Sequence, residues 1–141
     1  MTALPMRDAE RGELTIRTLC MPGDANPSGD IFGGWVMAQM DIAGGICALE
    51  CAKARVVTVA VDAMSFIKPV KVGDVLCVYT DVIRIRCTSL TVHVQAWVQR
   101  ERNRVCVKVT EADFTFVALD AEGRPTPVRA DGAGCQGSDG G

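Results

Sequence analysis

One carboxylate stands out among the residues that could do chemistry. Asp41 is the only charge in the 19 residues Ile31–Leu49. Enclosed by so much apolar side chain, it is costly to bury unless it is paired or put to use. It can act as a general base on water or attack a carbonyl directly; it can also be a structural carboxylate held by hydrogen bonds. Just upstream, Gly33 and Gly34 open the apolar run. Backbone N–H groups at a helix start can polarise a carbonyl and meet the negative charge that develops on it, and glycine leaves them reachable. Further upstream is Asn26, whose amide could contact a carboxylate, a water or a carbonyl, or could close an Asx-turn before Pro27.

Other chemistries find little support. The only histidine is His93, mid-strand on a polar-patterned face, which reads as a surface residue. There is no Gly-x-Ser-x-Gly elbow for a serine hydrolase. The seven cysteines lie at 20, 47, 51, 77, 87, 106 and 135, with no CxxC pair. Cys47 and Cys51 are one helical turn apart but have no His or second Cys pair nearby, so no metal site is expected. Several cysteines sit in apolar patterns, where they behave as small hydrophobes. So many unpaired thiols suggest a reducing cytoplasm. A chain of 141 residues, 48% hydrophobic and of net charge −2, is long enough for one domain with a real core and makes no case for nucleic-acid binding. Met1–Glu13 carries charges and no apolar stretch, so it is not a secretory signal.

The elements that must position these residues follow from patterning. Residues 29–53 read as a buried central helix, apolar nearly all round. Gly34, Ala38, Asp41, Gly45, Ala48 and Ala52 share one side, and Trp35, Ile42, Ile46 and Leu49 form a bulky one. Four glycines and a central Asp between Ile31 and Leu49, and no flanking basic cluster, speak against a membrane span. Glu13–Met21 reads as a strand, Asp24–Asp30 as a loop, and Val56–Ile67 as an apolar β-branched strand ended by Lys68-Pro69. Val75–Arg86 and Leu90–Gln99 follow as strands. In the second, Leu90, Val92, Val94, Ala96 and Val98 face one way while Thr91, His93, Gln95, Trp97 and Gln99 face the other. After a charged turn at 100–104, the apolar parity of Val105–Leu119 switches, which places a β-bulge near Thr110–Glu111. Residues 1–12 read as a loose N-terminus, 13–128 as the folded domain, and 129–141 as a disordered Gly-rich tail. The economical architecture is α+β: an antiparallel sheet wrapped around one helix. The free edge of the Val56–Phe66 strand calls for the same strand of a second chain, giving at least a dimer.

In this order the residues resemble the hot-dog fold, specifically the YciA-type acyl-CoA thioesterases. The resemblance rests on Asn26-x-x-Gly29-Asp30-Ile31-Phe32-Gly33-Gly34-Trp35-Val36-Met37, then Gln39-Met40-Asp41. It continues through Val57-Thr58-Val59-Ala60-Val61, Phe66-Ile67-Lys68-Pro69-Val70, Val72-Gly73-Asp74-Val75 and Thr88-Ser89, and covers roughly residues 13–128. It implies hydrolysis of an acyl-CoA thioester, Asp41 as the catalytic carboxylate, and Asn26 working in the same site from the other subunit. It implies a dimer, plausibly a trimer of dimers, and no cofactor beyond CoA as part of substrate and product. One departure is Arg86, where relatives commonly carry a Gly; Arg86 would force a different turn or supply a phosphate contact.

CoA carries several phosphate charges, so a chain of net charge −2 must place positive charge locally. The candidates are Lys68, Lys71, Arg84, Arg86, Arg100, Arg102, Arg104 and Lys108, with Lys68 and Arg86 favoured beside the motif residues Thr88 and Ser89. Phe66 belongs to the same motif set, and Met37, Met40 and Met64 could line an adaptable acyl pocket or pack in the core. Two other readings compete with hydrolysis: a non-enzymatic acyl-CoA-binding regulatory module, and a hydratase, which the absence of a histidine near the helix disfavours.

Overall fold

The computed structural model describes residues 7–8, 11–100 and 105–128. Residues 1–6 and 9–10 of the loose N-terminus expected at 1–12, residues 101–104 of the charged turn expected at 100–104, with Arg102 and Arg104, and the tail expected at 129–141, with Cys135, lie outside them. Strands β1 (Arg7–Asp8) and β2 (Gly12–Leu19) lead through a short 3-10 turn at Pro22–Asp24 to helix α1 (Gly33–Ala52). Strands β3 (Arg55–Val61), β4 (Asp74–Ile85), β5 (Ser89–Arg100) and β6 (Cys106–Leu119) follow. They form one antiparallel sheet in the order β1-β2-β4-β5-β6-β3, curved around α1. This is the α+β hot-dog architecture. Arg7–Asp8, within the segment read as loose, pairs with the start of β2. Gly12, which pairs with Asp8, has a φ of +94°, and a β-carbon there would lie 2.4 Å from the Thr80 carbonyl oxygen, so only glycine fits.

The alternation in β5 does what its period requires. Leu90, Val92, Val94, Ala96 and Val98 are all at most 1% exposed and form the floor under the helix. The opposite face is polar but partly covered: Arg11 stacks its guanidinium 3.9 Å from the Trp97 ring centroid, and Thr91 and Gln95 are buried. The bulge in β6 falls at Val109, where Ala96 pairs with Thr110 but Trp97 pairs with Lys108. That extra residue turns Ala112, Phe114 and Phe116 toward the helix.

Two expectations are corrected. The strand expected over Val56–Ile67 is regular only to Val61. Beyond it the chain still follows β6, but through irregular bonds: Asp62 N–H to Asp113 C=O, Thr110 Oγ1–H to Ser65 C=O and Ile67 N–H to Val109 C=O. The regular ladder ends at the Val61–Phe114 pair, where the β-branched run gives way to Asp62-Ala63-Met64-Ser65. Second, the helix is not enclosed all round. It buries Val36, Met40, Ala43, Gly44, Ala48 and Ala52, while Ile42, Ile46 and Leu49 are 51%, 41% and 50% exposed. The small-residue stripe passes from solvent at Gly34 and Ala38, through half-burial at Asp41 and Gly45, to full burial at Ala48 and Ala52. The buried face, from Val36 and Met40 to Ala48 and Ala52, runs the length of the helix, and the small-residue stripe crosses onto it only toward the C-terminal end. The helix ends where Lys53 takes a left-handed φ of 53° and returns its N–H to the Leu49 carbonyl. No helix among the described residues is long and apolar enough to cross a membrane.

Candidate active site

Asp41 sits midway along α1 on the stripe between solvent and core, half-buried. Its Oδ1 accepts a 2.6 Å hydrogen bond from Thr58 Oγ1 on β3. The β3–β6 pairing sets Thr58 opposite Phe116, a residue that faces the helix, so the threonine hydroxyl is aimed inward at the carboxylate. Oδ2 has no partner among the described residues. Thr58 is the residue that reading for chemistry missed. The available signals were its polarity inside Val57-Thr58-Val59-Ala60 and the place of that stretch in the resemblance.

At the N-terminal end of α1, no side chain caps the helix. Trp35 and Val36 both return their N–H groups to the Phe32 carbonyl. The N–H groups of Gly33 and Gly34 therefore have no acceptor among the described residues, as the first N–H groups of a helix have none within it. Beside them opens a cavity of about 310 Å³ lined by Asp30, Gly33, Val36, Phe66, Lys68 and Val70, among others. The Phe66 ring packs 3.5 Å from where a Gly33 β-carbon would lie. Asp30 is paired with Lys71. Lys68 has no partner among the described residues.

Asn26 does close an Asx-turn. Its Oδ1 accepts the N–H groups of Ser28 at 2.9 Å and Asp30 at 3.1 Å. That role and a role in chemistry are compatible: anchoring the oxygen to the loop fixes the amide plane and leaves the Nδ2 donors unused.

The other expected CoA contacts fall elsewhere. Arg86, Thr88 and Ser89 lie at the β4–β5 turn, at the opposite end of β4 from the Gly33 cavity, roughly 35 Å of strand away. Within one protomer the structure does not bring them to Lys68. The turn closes through Arg86 N–H to Ser89 C=O at 2.8 Å, with no residue at positive φ, so it forms without a glycine. Arg86 is exposed, but Ser89 is only 2% exposed and serves the sheet. Met40 is core, Met64 packs partly against it, and Met37 is 41% exposed. His93 lies on the outer sheet face between Asp113 (2.6 Å) and Glu111 (3.0 Å), remote from Asp41.

Three of the free cysteines are poor nucleophiles. Burial pushes the Cys20 thiol up to about 12, and it also raises Cys47 and Cys77, so these stay protonated at neutral pH. Cys20, Cys47, Cys51, Cys77 and Cys106 are free; Cys87, expected as an unpaired thiol, is disulfide-bonded. No group of three His, Cys, Asp or Glu side chains among the described residues could hold a metal.

The thioesterase superfamily model matches residues 28–105, more than half of the chain. The YciA acyl-CoA thioester hydrolase of Salmonella typhimurium is 46% identical over 130 residues, covering 90% of this chain and 98% of its own. A hexameric thioesterase from Yersinia pestis superposes with a TM-score of 0.80 at 50% identity, over 84% of this chain and 97% of that one. A Staphylococcus aureus acyl-CoA hydrolase, solved with butyryl-coenzyme A, coenzyme A and coenzyme A disulfide, superposes with a TM-score of 0.75 at 35% identity. That match covers 79% of this chain and 68% of the other. A half-buried helical carboxylate, an uncapped glycine pair and a sheet of this order thus occur together in a chain that belongs to the thioesterase superfamily, among its YciA-type acyl-CoA thioester hydrolases.

Proposed function

We propose that this chain hydrolyses acyl-CoA thioesters to the free acid and CoA, with Asp41 as the base that activates water. The observation that carries the reading is the carboxylate itself. Asp41 is half-buried on the helix, Thr58 holds one of its oxygens, and the other is open. Water adds to the carbonyl carbon as its proton passes to Asp41. The carbon–sulfur bond then breaks, and the sulfur leaves with a proton as the CoA thiol. Water is the only co-reactant, so no cofactor is needed.

The carbonyl oxygen goes to the open N–H groups of Gly33 or Gly34. These lie eight and seven residues from Asp41, roughly 10–12 Å along the helix. One helix does not serve one carbonyl at both points. Two antiparallel helices in a dimer do: one protomer supplies Asn26, the glycine pair and the cavity, and its partner supplies Asp41 and Thr58. The unsatisfied apolar surface supports this arrangement. Ile42, Ile46 and Leu49 on the helix and Val57, Val59 and Val61 on the sheet edge are all more than 40% exposed in the single protomer. A trimer of such dimers is the assembly we read for this chain, from the hexameric relative, and the cytoplasm is its compartment, from the five free thiols set against the one disulfide-bonded residue among those described, Cys87. The cavity with Lys68 and Phe66 takes CoA, and in the dimer Arg86 and Thr88 of the partner approach from their own end of the sheet.

The test is thiol release from a panel of acyl-CoAs. Asp41→Asn lowers kcat by about 10³-fold, within the range for a lost general base. Thr58→Val, which keeps the shape and removes the donor, lowers it by about tenfold. Full turnover by Asp41→Asn would end the assignment, and tight CoA binding with no turnover on any chain length would mark a binding module instead.

A further inference from the structure

The cavity wall that carries Phe66 and Lys68 has no secondary structure of its own, so other elements must set its position. The Ser65 carbonyl is held by Thr110, Ile67 N–H by the Val109 carbonyl and the Val70 carbonyl by Ile31 N–H. The remaining attachment is different in kind. Arg100, at the end of β5, donates from Nη2 to the Pro69 carbonyl at 2.8 Å, next to Lys68. The same guanidinium places Nε 3.1 Å from both oxygens of Asp74, its partner across the β4–β5 ladder. The Asp74 side chain is only 4% exposed and also accepts Lys71 N–H at 2.9 Å. One rigid fork therefore ties the end of a hairpin, the turn before β4 and the cavity wall. An ammonium, with its single point of charge, has no geometry to match this.

The charges at the cavity mouth give this tie a consequence. Asp30 and Lys71 are spent on each other, which leaves Lys68 as the uncompensated charge on the wall. Arg100 itself, a candidate phosphate contact by sequence, is committed to Asp74 and Pro69. We propose that Arg100 is a positioning residue for substrate binding: by clamping Pro69 against Asp74 it fixes Lys68 at the cavity mouth as a contact for the phosphates of CoA. This rests on the reading of the cavity as the CoA side of the site. The clamp touches none of the groups assigned to bond breaking, so its effect belongs in KM and not in kcat.

The experiment compares an acyl-CoA with the matching S-acyl-pantetheine, which has the thioester and arm but no nucleotide phosphates. Arg100→Gln raises KM for acyl-CoA about tenfold, the loss of one charge-assisted hydrogen bond, and leaves kcat within about twofold. KM for the pantetheine ester is unchanged. Lys68→Ala shows the same split, and the double variant is no worse than the worse single one, because both act at one contact. A general loosening of the fold predicts equal damage on both substrates, and that result overturns the clamp, as do additive penalties or an unchanged KM. If Arg100→Gln does not fold, Arg100→Lys replaces it: it keeps a donor for the buried Asp74, loses the fork, and must show the same split. A wild type that hydrolyses neither substrate defeats the reading of the site. A wild type that hydrolyses both, with an Arg100 variant that matches it, defeats the clamp alone.

Discussion

A β-carbon placed on Gly34 meets no atom within 4 Å, so nothing inside the protomer requires glycine there. Its φ is an ordinary helical one, and alanine favours helix over glycine by up to about 1 kcal/mol. On the function proposed above, the missing side chain leaves room for the substrate or the partner helix. Gly34→Ala is expected to melt at the same temperature as the wild type or higher, yet to lose at least about tenfold in kcat/KM, roughly 1.4 kcal/mol of transition-state stabilisation. Gly44 gives the opposite result. A β-carbon there comes within 3.0 Å of the fully buried Phe116 ring, so Gly44→Ala lowers stability by about 1–3 kcal/mol. Thermal melts and initial rates on the two variants separate a glycine kept for function from one kept for packing. The same distinction limits what residue types reveal. Asp41 could be picked out as a candidate from sequence because a lone charge in an apolar run is conspicuous. Its partner Thr58 could not, because threonine in a strand is ordinary and only the β3–β6 register aims it at the helix.

Among the elements, strands with a clean period were readable to within about two residues. The β6 bulge was readable because parity along a strand cannot change without an inserted residue. Patterning did not place the end of β3: the β-branched run stops at Val61, but Ala63, Met64, Phe66 and Ile67 keep the stretch apolar enough to read as strand without the run of β-branched residues that favours a ladder. Nor could it tell which apolar helix face the chain covers itself, because Ile42 and Met40 look alike until the helix is tilted on the sheet. The outer face of β5 and β6 carries its own prediction. There, the Glu111 carboxyl is held below its ordinary value of 4.5, first by the hydrogen bond from Lys108 and then by His93. A carboxyl with a lowered folded value stabilises the fold fully above its unfolded value and loses that contribution as pH falls through the folded one. The Glu111 side chain is 40% exposed, so the effect is small, a fraction of what a buried pair would give. Glu111→Gln is expected to melt slightly below the wild type at pH 7, with the two curves converging as pH drops through the region below 4.5. A gap that persists in acid would mean packing, not charge, ties this part of β6 to β5.

For the whole molecule, the protomer is incomplete by its own surface. β3 is a sheet edge bearing three exposed valines, and the neighbouring helix shows Ile42, Ile46 and Leu49 to solvent. Bare edges of this kind recruit another strand, and contiguous apolar surface marks an interface. If the partner fills that interface with its helix antiparallel, every site takes Asn26 from one chain and Asp41 from the other. Asn26→Ala and Asp41→Asn are then each inactive as homodimers, since both of their sites carry one lesion. Subunit exchange between equal amounts of the two inactive variants puts half of the chains in mixed dimers. In a mixed dimer both lesions fall in one site and the other is intact, so the mixture regains about a quarter of wild-type activity. A site contained in one chain regains nothing, because each chain keeps its own defect whichever partner it meets. The rate of thiol release before and after exchange therefore reads out whether chemistry is shared between chains. The recovered fraction also tests the pairing rule, since independent assembly in any number of dimers leaves the one-quarter figure unchanged.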